Sequence, residues 1–209
     1  MAVKNNDNPV QKEYACLAQE YDEKWHFYVE TTLQETLKRL DLHSGDRLLD
    51  IGCGTGALLA VLENRYPNVT FTGVDPTQEM LDVASKRLSK KVEIKQSWAE
   101  ALPFETETFD VIVSCNMFHY IREPMTALEE MKRVLKPTGK MVITDWCADY
   151  FICYLYDKFL RIFNKAHFKT HKKNECVKLL SSSGFNEIKI DSYKISWFWG
   201  MMTATANKK

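Results

Sequence analysis

The feature that most restricts the fold of this chain is an apolar run that leads directly into a glycine-rich turn. Residues 48–51 read Leu-Leu-Asp-Ile, residues 52–56 read Gly-Cys-Gly-Thr-Gly, and a helical pattern begins at Ala57. Glycines allow the backbone to bend sharply and let a ligand approach it without meeting a β-carbon. The run therefore predicts a buried strand, a ligand-binding turn and a helix in immediate succession.

Short β-rich runs alternate with longer helical patterns along the rest of the chain. Strands are predicted at Arg47–Ile51, 69–74, 92–96, 109–114 and 140–144, and helices at Ala57–Arg65, 78–88, Pro124–Val134 and Lys173–Ser182. Parallel strands need crossover connections, so this alternation predicts an α/β fold with helices on both faces of a sheet. Residues 187–196 and 197–206 are predicted to pair as a C-terminal antiparallel hairpin, which completes a seven-stranded, mostly parallel sheet.

Two segments lie outside this alternation. Residues 12–40 are predicted to form one or two amphipathic helices, and residues 146–168 a helical stretch crowded with aromatic side chains. We interpret 146–172 either as a substrate lid or as a helix packed in the core. No repeat, low-complexity tract or linker divides the 209 residues, so we expect a single domain over 1–209.

Composition argues against several classes of protein. Lys plus Arg (28) balance Asp plus Glu (28), which leaves no large positive field for nucleic acid, so a nucleic-acid partner is disfavoured. No signal peptide and no apolar run of about 18 residues is present, which predicts a cytoplasmic protein without a transmembrane segment. The six cysteines are scattered without a Cys-x-x-Cys pair, so no metal site or disulfide framework is expected.

A second acidic residue strengthens the interpretation of the glycine turn. Asp75 follows Gly52 by about the twenty residues expected of a carboxylate that accepts hydrogen bonds from ribose hydroxyls. With these elements the sequence resembles the class I S-adenosylmethionine-dependent methyltransferase superfamily, especially the small-molecule branch with the menaquinone and ubiquinone biosynthesis enzymes. The resemblance implies the Rossmann-like class I methyltransferase fold. It also implies S-adenosylmethionine as the cofactor, S-adenosylhomocysteine as its product, and a small-molecule acceptor. If the aromatic segment is a lid, it favours an acceptor that is aromatic or lipophilic.

The resemblance also implies which residues hold the cofactor. The glycine run is similar to the segment that binds the methionine end and the ribose, and Tyr21 belongs to a helix that is similar to the one lying over the methionine end. The implied cofactor residues are Tyr21, Asp50, Gly52, Cys53, Gly54, Gly56, Asp75, Pro76, Trp98, Ala99 and Cys115. Trp98 stands where the family usually has an aspartate near the adenine amine. Because indole accepts no hydrogen bond, Trp98 would contribute by stacking or by a backbone contact.

Candidate catalytic and substrate residues follow the fourth and fifth strands. Ligands of parallel sheets bind beyond the carboxyl ends of the strands, which places His119 and Asp145 near the reaction centre. His119 is the first candidate for a general base, and its alternative is a hydrogen-bonding role. Asp145 either orients the substrate or caps the following helix. Tyr150 and Tyr154 are candidate substrate contacts on the aromatic segment, or plain core.

Other interpretations stay open at this point. The basic run over 158–173 is either a solvated surface or a contact for a phosphate in a phospholipid headgroup or in RNA. A nucleotide-linked dehydrogenase is disfavoured, because no Tyr-x-x-x-Lys pair lies between the fourth and fifth strands and because Asp50 precedes Gly-Cys-Gly-Thr-Gly, the form that resembles methyltransferases. An RNA or protein methyltransferase, or a non-catalytic protein that binds S-adenosylmethionine, remains an alternative. The sequence predicts neither the acceptor atom nor the oligomeric state.

Overall fold

The fold is built on a mixed sheet in which the glycine turn follows a central strand. The computed structural model describes residues 8–208, and within them the strand order is β3-β2-β1-β4-β5-β7-β6. The strands are β1 (Arg47–Ile51), β2 (Thr70–Asp75), β3 (Glu93–Gln96), β4 (Phe109–Cys115), β5 (Leu135–Trp146), β6 (Phe185–Lys194) and β7 (Gly200–Lys208). The first five strands pair in parallel, and β7 pairs antiparallel with both β5 and β6. The predicted seven-stranded sheet with its C-terminal hairpin is confirmed.

Helices cover both faces of this sheet, as the alternation predicts. They are α1 (Pro9–Leu17), α2 (Tyr21–Lys24), α3 (His26–Leu37), α4 (Ala57–Arg65), α5 (Gln78–Arg87), α6 (Pro124–Val134), α7 (Phe151–Phe163) and α8 (Lys173–Ser182), with a short 3₁₀ helix at Phe118–Tyr120. Successive side chains of a strand point to opposite faces, and Leu48 and Leu49 belong to two different buried clusters. The hydrophobic core therefore consists of two apolar layers, one on each side of the sheet.

Some boundaries differ from the sequence-based ones. β5 begins at Leu135 instead of residue 140, because Leu135 pairs with Phe109 before the register shifts and Lys140 pairs with Val111. The residues between them include Pro137, and a residue without an N–H is tolerated in a sheet at such an irregularity. The segment 12–40 contains three helices instead of one or two. The hairpin turns over 195–199, where the Ile195 amide donates to the Trp199 carbonyl at 3.1 Å.

The helices of the described residues are short. No helix between residues 8 and 208 has both the length and the apolar character needed to cross a bilayer.

Candidate functional site

A cleft opens at the carboxyl ends of β1, β2 and β4, where a parallel sheet places its ligands. Its empty space is about 1040 Å³, counting the open mouth, which is in the range of small-molecule and cofactor sites. Most of the predicted cofactor residues line it: Tyr21, Asp50, Gly52, Cys53, Gly54, Asp75, Pro76, Trp98, Ala99 and Cys115. Gly56 is the exception. A β-carbon there would lie 3.0 Å from Leu88, so this glycine allows α4 and α5 to pack closely.

The turn between β1 and α4 needs glycine for two different reasons. Gly52 has φ +77°, and a β-carbon there would lie 2.5 Å from Cγ of Met117. Gly54 has φ +52°, but a β-carbon there would have no atom within 4 Å, so it would project into empty space. Left-handed backbone favours glycine at both positions. Gly52 is thus fixed by the neighbouring loop, whereas Gly54 leaves bare backbone beside the space of the cleft.

Asp75 is held at the end of β2 by the backbone of two neighbouring segments. Its Oδ2 accepts a hydrogen bond from the Gly54 amide at 3.0 Å, and its Oδ1 accepts one from the Thr77 amide at 2.8 Å. Burial raises the pKa of Asp75 to about 6, although these backbone hydrogen bonds act in the opposite direction. Each carboxylate oxygen accepts more than one hydrogen bond, so both oxygens keep capacity for a ligand's hydroxyl groups.

Asp50, at the end of β1, makes the cleft more acidic. Its side chain is buried, and burial together with the negative charge of Asp75 raises its pKa to about 8. Glu100 also lines the cleft, whereas none of the lining residues found in the described part of the chain is lysine, arginine or histidine. A nearby positive charge would favour the ionised carboxylates. The electrostatics of the cleft therefore suit a ligand that carries positive charge better than a phosphate-rich one.

The N-terminal helices cover one side of the cleft. Tyr14 of α1 and Tyr21 of α2 both line it, with ring centroids 5.7 Å apart, and the Tyr14 ring also lies 5.4 Å from that of Tyr120. Gln11 Nε2 donates to the Pro76 carbonyl at 2.6 Å. Burial raises the pKa of the Tyr21 hydroxyl well above its usual value, so the ring is a neutral cover.

An ion pair fixes this cover at the rim of the cleft. Asp22 of α2 pairs with Arg87 of α5, and Asp22 Oδ1 also accepts a hydrogen bond from Thr55 Oγ1 at 2.7 Å. Arg87 in turn donates to the Thr55 carbonyl at 3.1 Å. The glycine turn, α2 and α5 are thereby joined by one polar cluster.

The loop after β4 contributes a further wall of the cleft, of which the predicted cofactor residues include only Cys115. Asn116, Met117 and Tyr120 line the cleft, and Asn116 adopts φ +60°. The Asn116 amide oxygen accepts a hydrogen bond from Tyr28 Oη at 2.8 Å, and its Nδ2 donates to Thr32 Oγ1 at 2.7 Å. The position of this loop after a parallel strand was the available signal. Which of its side chains reach the cleft depends on packing against α3.

Cys115 begins this loop but has no reactive thiolate. Its sulfur lies 3.4 Å from Thr36 Oγ1, and burial raises the pKa of the thiol to about 12. It therefore lines the cleft as a neutral, compact side chain.

His119 and Asp145 form a buried pair that does not line the cleft. His119 Nδ1 lies 2.6 Å from Asp145 Oδ1, and the His119 amide donates to Asp145 Oδ2 at 2.8 Å. The imidazole is 4.0 Å from the ring of Tyr120 and stacks on Trp146 at 4.9 Å. Its Nε2 is buried without a hydrogen-bond partner in the described structure. The His119–Asp145 pair thus lies behind Tyr120. Asp145 orients the imidazole as it would orient a general base, but neither side chain lines the open cleft.

Tyr150 and Tyr154 lie apart from the cofactor residues. Neither lines the cleft. The Tyr150 ring packs over the backbone of Gly200, and the Tyr154 side chain is exposed, with Lys158 and Lys172 over its ring at 5.5 and 5.8 Å. The structure does not bring these two candidate substrate residues together with His119 or with the glycine turn.

Known proteins are similar to this chain in sequence and in fold. A family described as "Methyltransferase domain" matches residues 49–143. Demethylmenaquinone methyltransferase of Lactobacillus johnsonii is 35% identical over 114 residues, which cover 52% of this chain and 47% of that protein. An uncharacterised protein of Methanocaldococcus jannaschii is 32% identical over 176 residues, which cover 82% of this chain and 80% of that protein. This chain spans about half the length of the first curated relatives it matches.

A solved structure extends the likeness to nearly the whole chain. The S-adenosylmethionine-dependent methyltransferase of Thermotoga maritima, described as a possible histamine N-methyltransferase, superposes with a TM-score of 0.79 at 21% identity. The superposition covers 96% of this chain and all of that one (100%). At this identity the likeness shows the fold.

Proposed function

Because this chain belongs to the class I S-adenosylmethionine-dependent methyltransferases, we propose that it transfers a methyl group from S-adenosylmethionine to a small-molecule acceptor. The observation that carries this proposal is the acidic cleft in which Asp75 is held against the glycine turn. Hydroxyl groups of a ribose suit the remaining acceptor capacity of Asp75. The bare backbone at Gly54 leaves room for the ligand that a β-carbon would take.

The charge of the cleft fits the proposed cofactor. S-adenosylmethionine carries a sulfonium and an ammonium group, and the lining offers Asp50, Asp75 and Glu100 without a basic side chain among the described residues. We assign Asp50 to the methionine end and Asp75 to the ribose. Trp98 and Ala99 are assigned to the adenine, Tyr21 covers the methionine end, and Gly52, Cys53, Pro76 and Cys115 shape the walls. Gly56 acts indirectly, by letting α4 and α5 pack closely beside the turn. A dinucleotide with two phosphates fits this electrostatic environment poorly.

The chain's own part in the chemistry is to orient and enclose the reactants. When bound, S-adenosylmethionine supplies an electrophilic methyl group on a sulfonium that is a good leaving group. Orientation alone offers effective molarities of roughly 10⁵ M or more, so the protein's geometry is the main contribution. Tyr14 and Tyr21 exclude water from one side of the cleft, because their rings cover it.

We further propose that His119 accepts a proton from the acceptor. Asp145 holds Nδ1 of the imidazole and leaves Nε2 as the basic atom, an orientation that also stabilises the protonated ring. Because Tyr120 lies between His119 and the cleft, this role requires the Tyr120 side chain to move when the acceptor binds. Asp145 thereby acts on the orientation of His119.

An aromatic or lipophilic acceptor is supported by the side chains beside the cleft. Asn116 lines the cleft and contacts Tyr28, whose ring lies 5.1 Å from Trp199 and at a right angle to Trp146. The Lactobacillus johnsonii relative is named for a quinone substrate, demethylmenaquinone. We propose that 146–172, with Tyr150 and Tyr154, acts as a lid that admits the acceptor toward this aromatic cluster.

The first experiment is calorimetry with S-adenosylmethionine, S-adenosylhomocysteine and NAD, each added to the same protein. We expect binding of the first two ligands and none of NAD. Binding of NAD alone would contradict the proposed function.

A second measurement tests transfer, with a labelled methyl donor and a panel of phenols, quinols, amines, RNA and protein. Transfer to a small molecule supports the proposed acceptor class. Transfer confined to RNA or protein contradicts that class, and cofactor binding without transfer to any acceptor of the panel favours a non-catalytic binding protein.

A further inference from the structure

Helix α7 buries one side and leaves a broad apolar side exposed. Its buried side contains Cys153 and Asp157, and its Tyr156 and Leu160 pack against the cluster of Tyr28, Trp146 and Met201. The opposite side presents five large apolar residues with exposed fractions between 50% and 76%: Phe151, Leu155, Phe159, Ile162 and Phe163. Spacings of three and four residues place them on one side of a helix. We call this set the apolar face of α7.

The hairpin loop beside α7 carries another exposed ring. Trp197 is 78% exposed, and its ring lies 5.8 Å from that of Phe198. Phe198 in turn packs edge-on against Tyr156 of α7 at 5.1 Å. Exposed apolar residues are common singly, whereas a contiguous patch of this kind marks an interaction surface. Tryptophan is also the side chain favoured at boundaries between water and lipid.

Positive charge borders the apolar face of α7. Lys158 and Arg161 are exposed on one edge of it, and Lys165 is exposed directly after the helix. Lys158 follows Leu155 by three residues and precedes Ile162 by four, so it lies next to both on the helix surface. The acidic residue of α7 is Asp157, which is buried, hydrogen-bonded to His167 Nε2 at 2.9 Å and 3.9 Å from Arg161 Nη1. The exposed surface of the helix therefore combines apolar side chains with cations and no carboxylate.

We propose that the apolar face of α7, together with Trp197, docks on an anionic lipid surface, with the helix axis in the plane of the interface. A helix that is apolar on one side and basic at the border matches acyl chains below and acidic headgroups above. A second copy of the chain is a poorer occupant, since pairing two such faces brings Lys158 and Arg161 close to their own counterparts. This docking is independent of cofactor binding, because none of its residues lines the cleft.

Vesicle cosedimentation tests the proposal on the full chain. The probes are vesicles of phosphatidylcholine alone and of phosphatidylcholine mixed with phosphatidylglycerol. We expect partitioning onto the anionic vesicles, little onto the neutral ones, and weaker partitioning at high salt. Ile162→Ser/Phe163→Ser should lower the partition coefficient by roughly tenfold or more, because two large apolar side chains no longer enter the interface. Lys158→Glu/Arg161→Glu should lower it as well.

Two matched controls lie elsewhere on the surface. Val61→Ser/Val177→Ser removes exposed apolar residues of α4 and α8, and Lys90→Glu/Lys91→Glu reverses exposed charges before β3. Both should bind vesicles like the unchanged protein, and unchanged circular dichroism of the α7 variants shows that they fold. No partitioning of the unchanged protein, equal partitioning onto neutral vesicles, or an equal loss in the controls would overturn the proposal. The proposal would also be overturned if the protein had no affinity for vesicles and instead formed a dimer in sedimentation equilibrium that Ile162→Ser/Phe163→Ser dissociates.

Discussion

Asp22 and Arg87 form an ion pair that joins α2 to α5 at the rim of the cleft. Both side chains are about one-third exposed, at 32%, and both also contact Thr55 of the glycine turn. Because the pair holds α2, which covers the cleft, against α5, it fixes the position of this cover relative to the glycine turn of the binding site.

Arg87→Ala should weaken the affinity for S-adenosylmethionine by about fivefold, since a partly exposed ion pair contributes about 1 kcal/mol at most. Calorimetry measures this change, and limited proteolysis should show faster cleavage in the N-terminal helices. Arg65→Ala, which removes an exposed arginine from α4, is the control and should change neither quantity. Equal affinities for both variants would show that the ion pair does not hold the cover.

Asp75→Ala should weaken cofactor binding by about 2 kcal/mol, or roughly thirtyfold, because charged hydrogen bonds to the ligand are lost. The cofactor affinity of Asp75→Asn should lie between those of the unchanged protein and Asp75→Ala, since one side-chain oxygen acceptor remains. Titration calorimetry gives the dissociation constants. Glu79→Ala removes a neighbouring exposed carboxylate from α5 and should leave the constant unchanged. An unchanged constant for Asp75→Ala would show that this residue is not the ribose ligand.

Gly54→Ala and Gly45→Ala separate backbone strain from ligand contact. Both glycines have positive φ, +52° and +93°, and a β-carbon at either would meet no atom within 4 Å. Each substitution should therefore destabilise the fold by a similar amount, about 1 kcal/mol. Gly54→Ala alone should also abolish or strongly weaken cofactor binding, since its methyl group would occupy the cleft. Retained affinity in Gly54→Ala would place the ligand away from the turn.

Asp50→Asn should stabilise the ligand-free protein increasingly as the pH rises. Burial and the charge of Asp75 raise the pKa of Asp50 from 3.8 to about 8. A raised carboxyl pKa means that the native state holds the Asp50 proton more tightly than the unfolded state does. The protonated carboxyl therefore contributes its full share to the free energy of unfolding below pH 3.8, and this share is lost as the pH rises through about 8. The neutral amide avoids that loss. Thermal unfolding of both proteins over this window measures the difference, and a constant difference across the window would contradict the expectation.

His119→Ala should lower turnover while leaving cofactor affinity intact, if His119 accepts the proton. It should also lower the free energy of unfolding by about 3 kcal/mol, because Asp145 loses its buried partner. Steady-state kinetics at a temperature where the variant is folded separates the two effects. Full kcat in a destabilised variant would identify His119 as a structural residue behind Tyr120.

Much of the fold could be predicted from local order along the chain. The bounds of β1, α4, α6 and α8 agree with the sequence-based ones, because glycine, proline and apolar spacing act on neighbouring residues. The convergence of Asp50, Asp75 and Cys115 on one cleft was also predictable. Parallel strands bring their carboxyl ends to the same edge of the sheet, so sequence order alone assigns these residues to one place.

Long-range packing decided the rest. The sequence indicates a histidine and an aspartate near the same edge, but the packing of Tyr120 and Trp146 places their side chains behind the cleft wall. The aromatic periodicity of α7 does not say which side is covered, and the contacts with Tyr28 and Trp146 selected it. Likewise, Asp22 and Arg87 become partners only when α2 folds over α5. Sequence patterns specify the conformations of neighbouring residues, whereas burial and charge pairing between distant segments depend on how the completed elements pack.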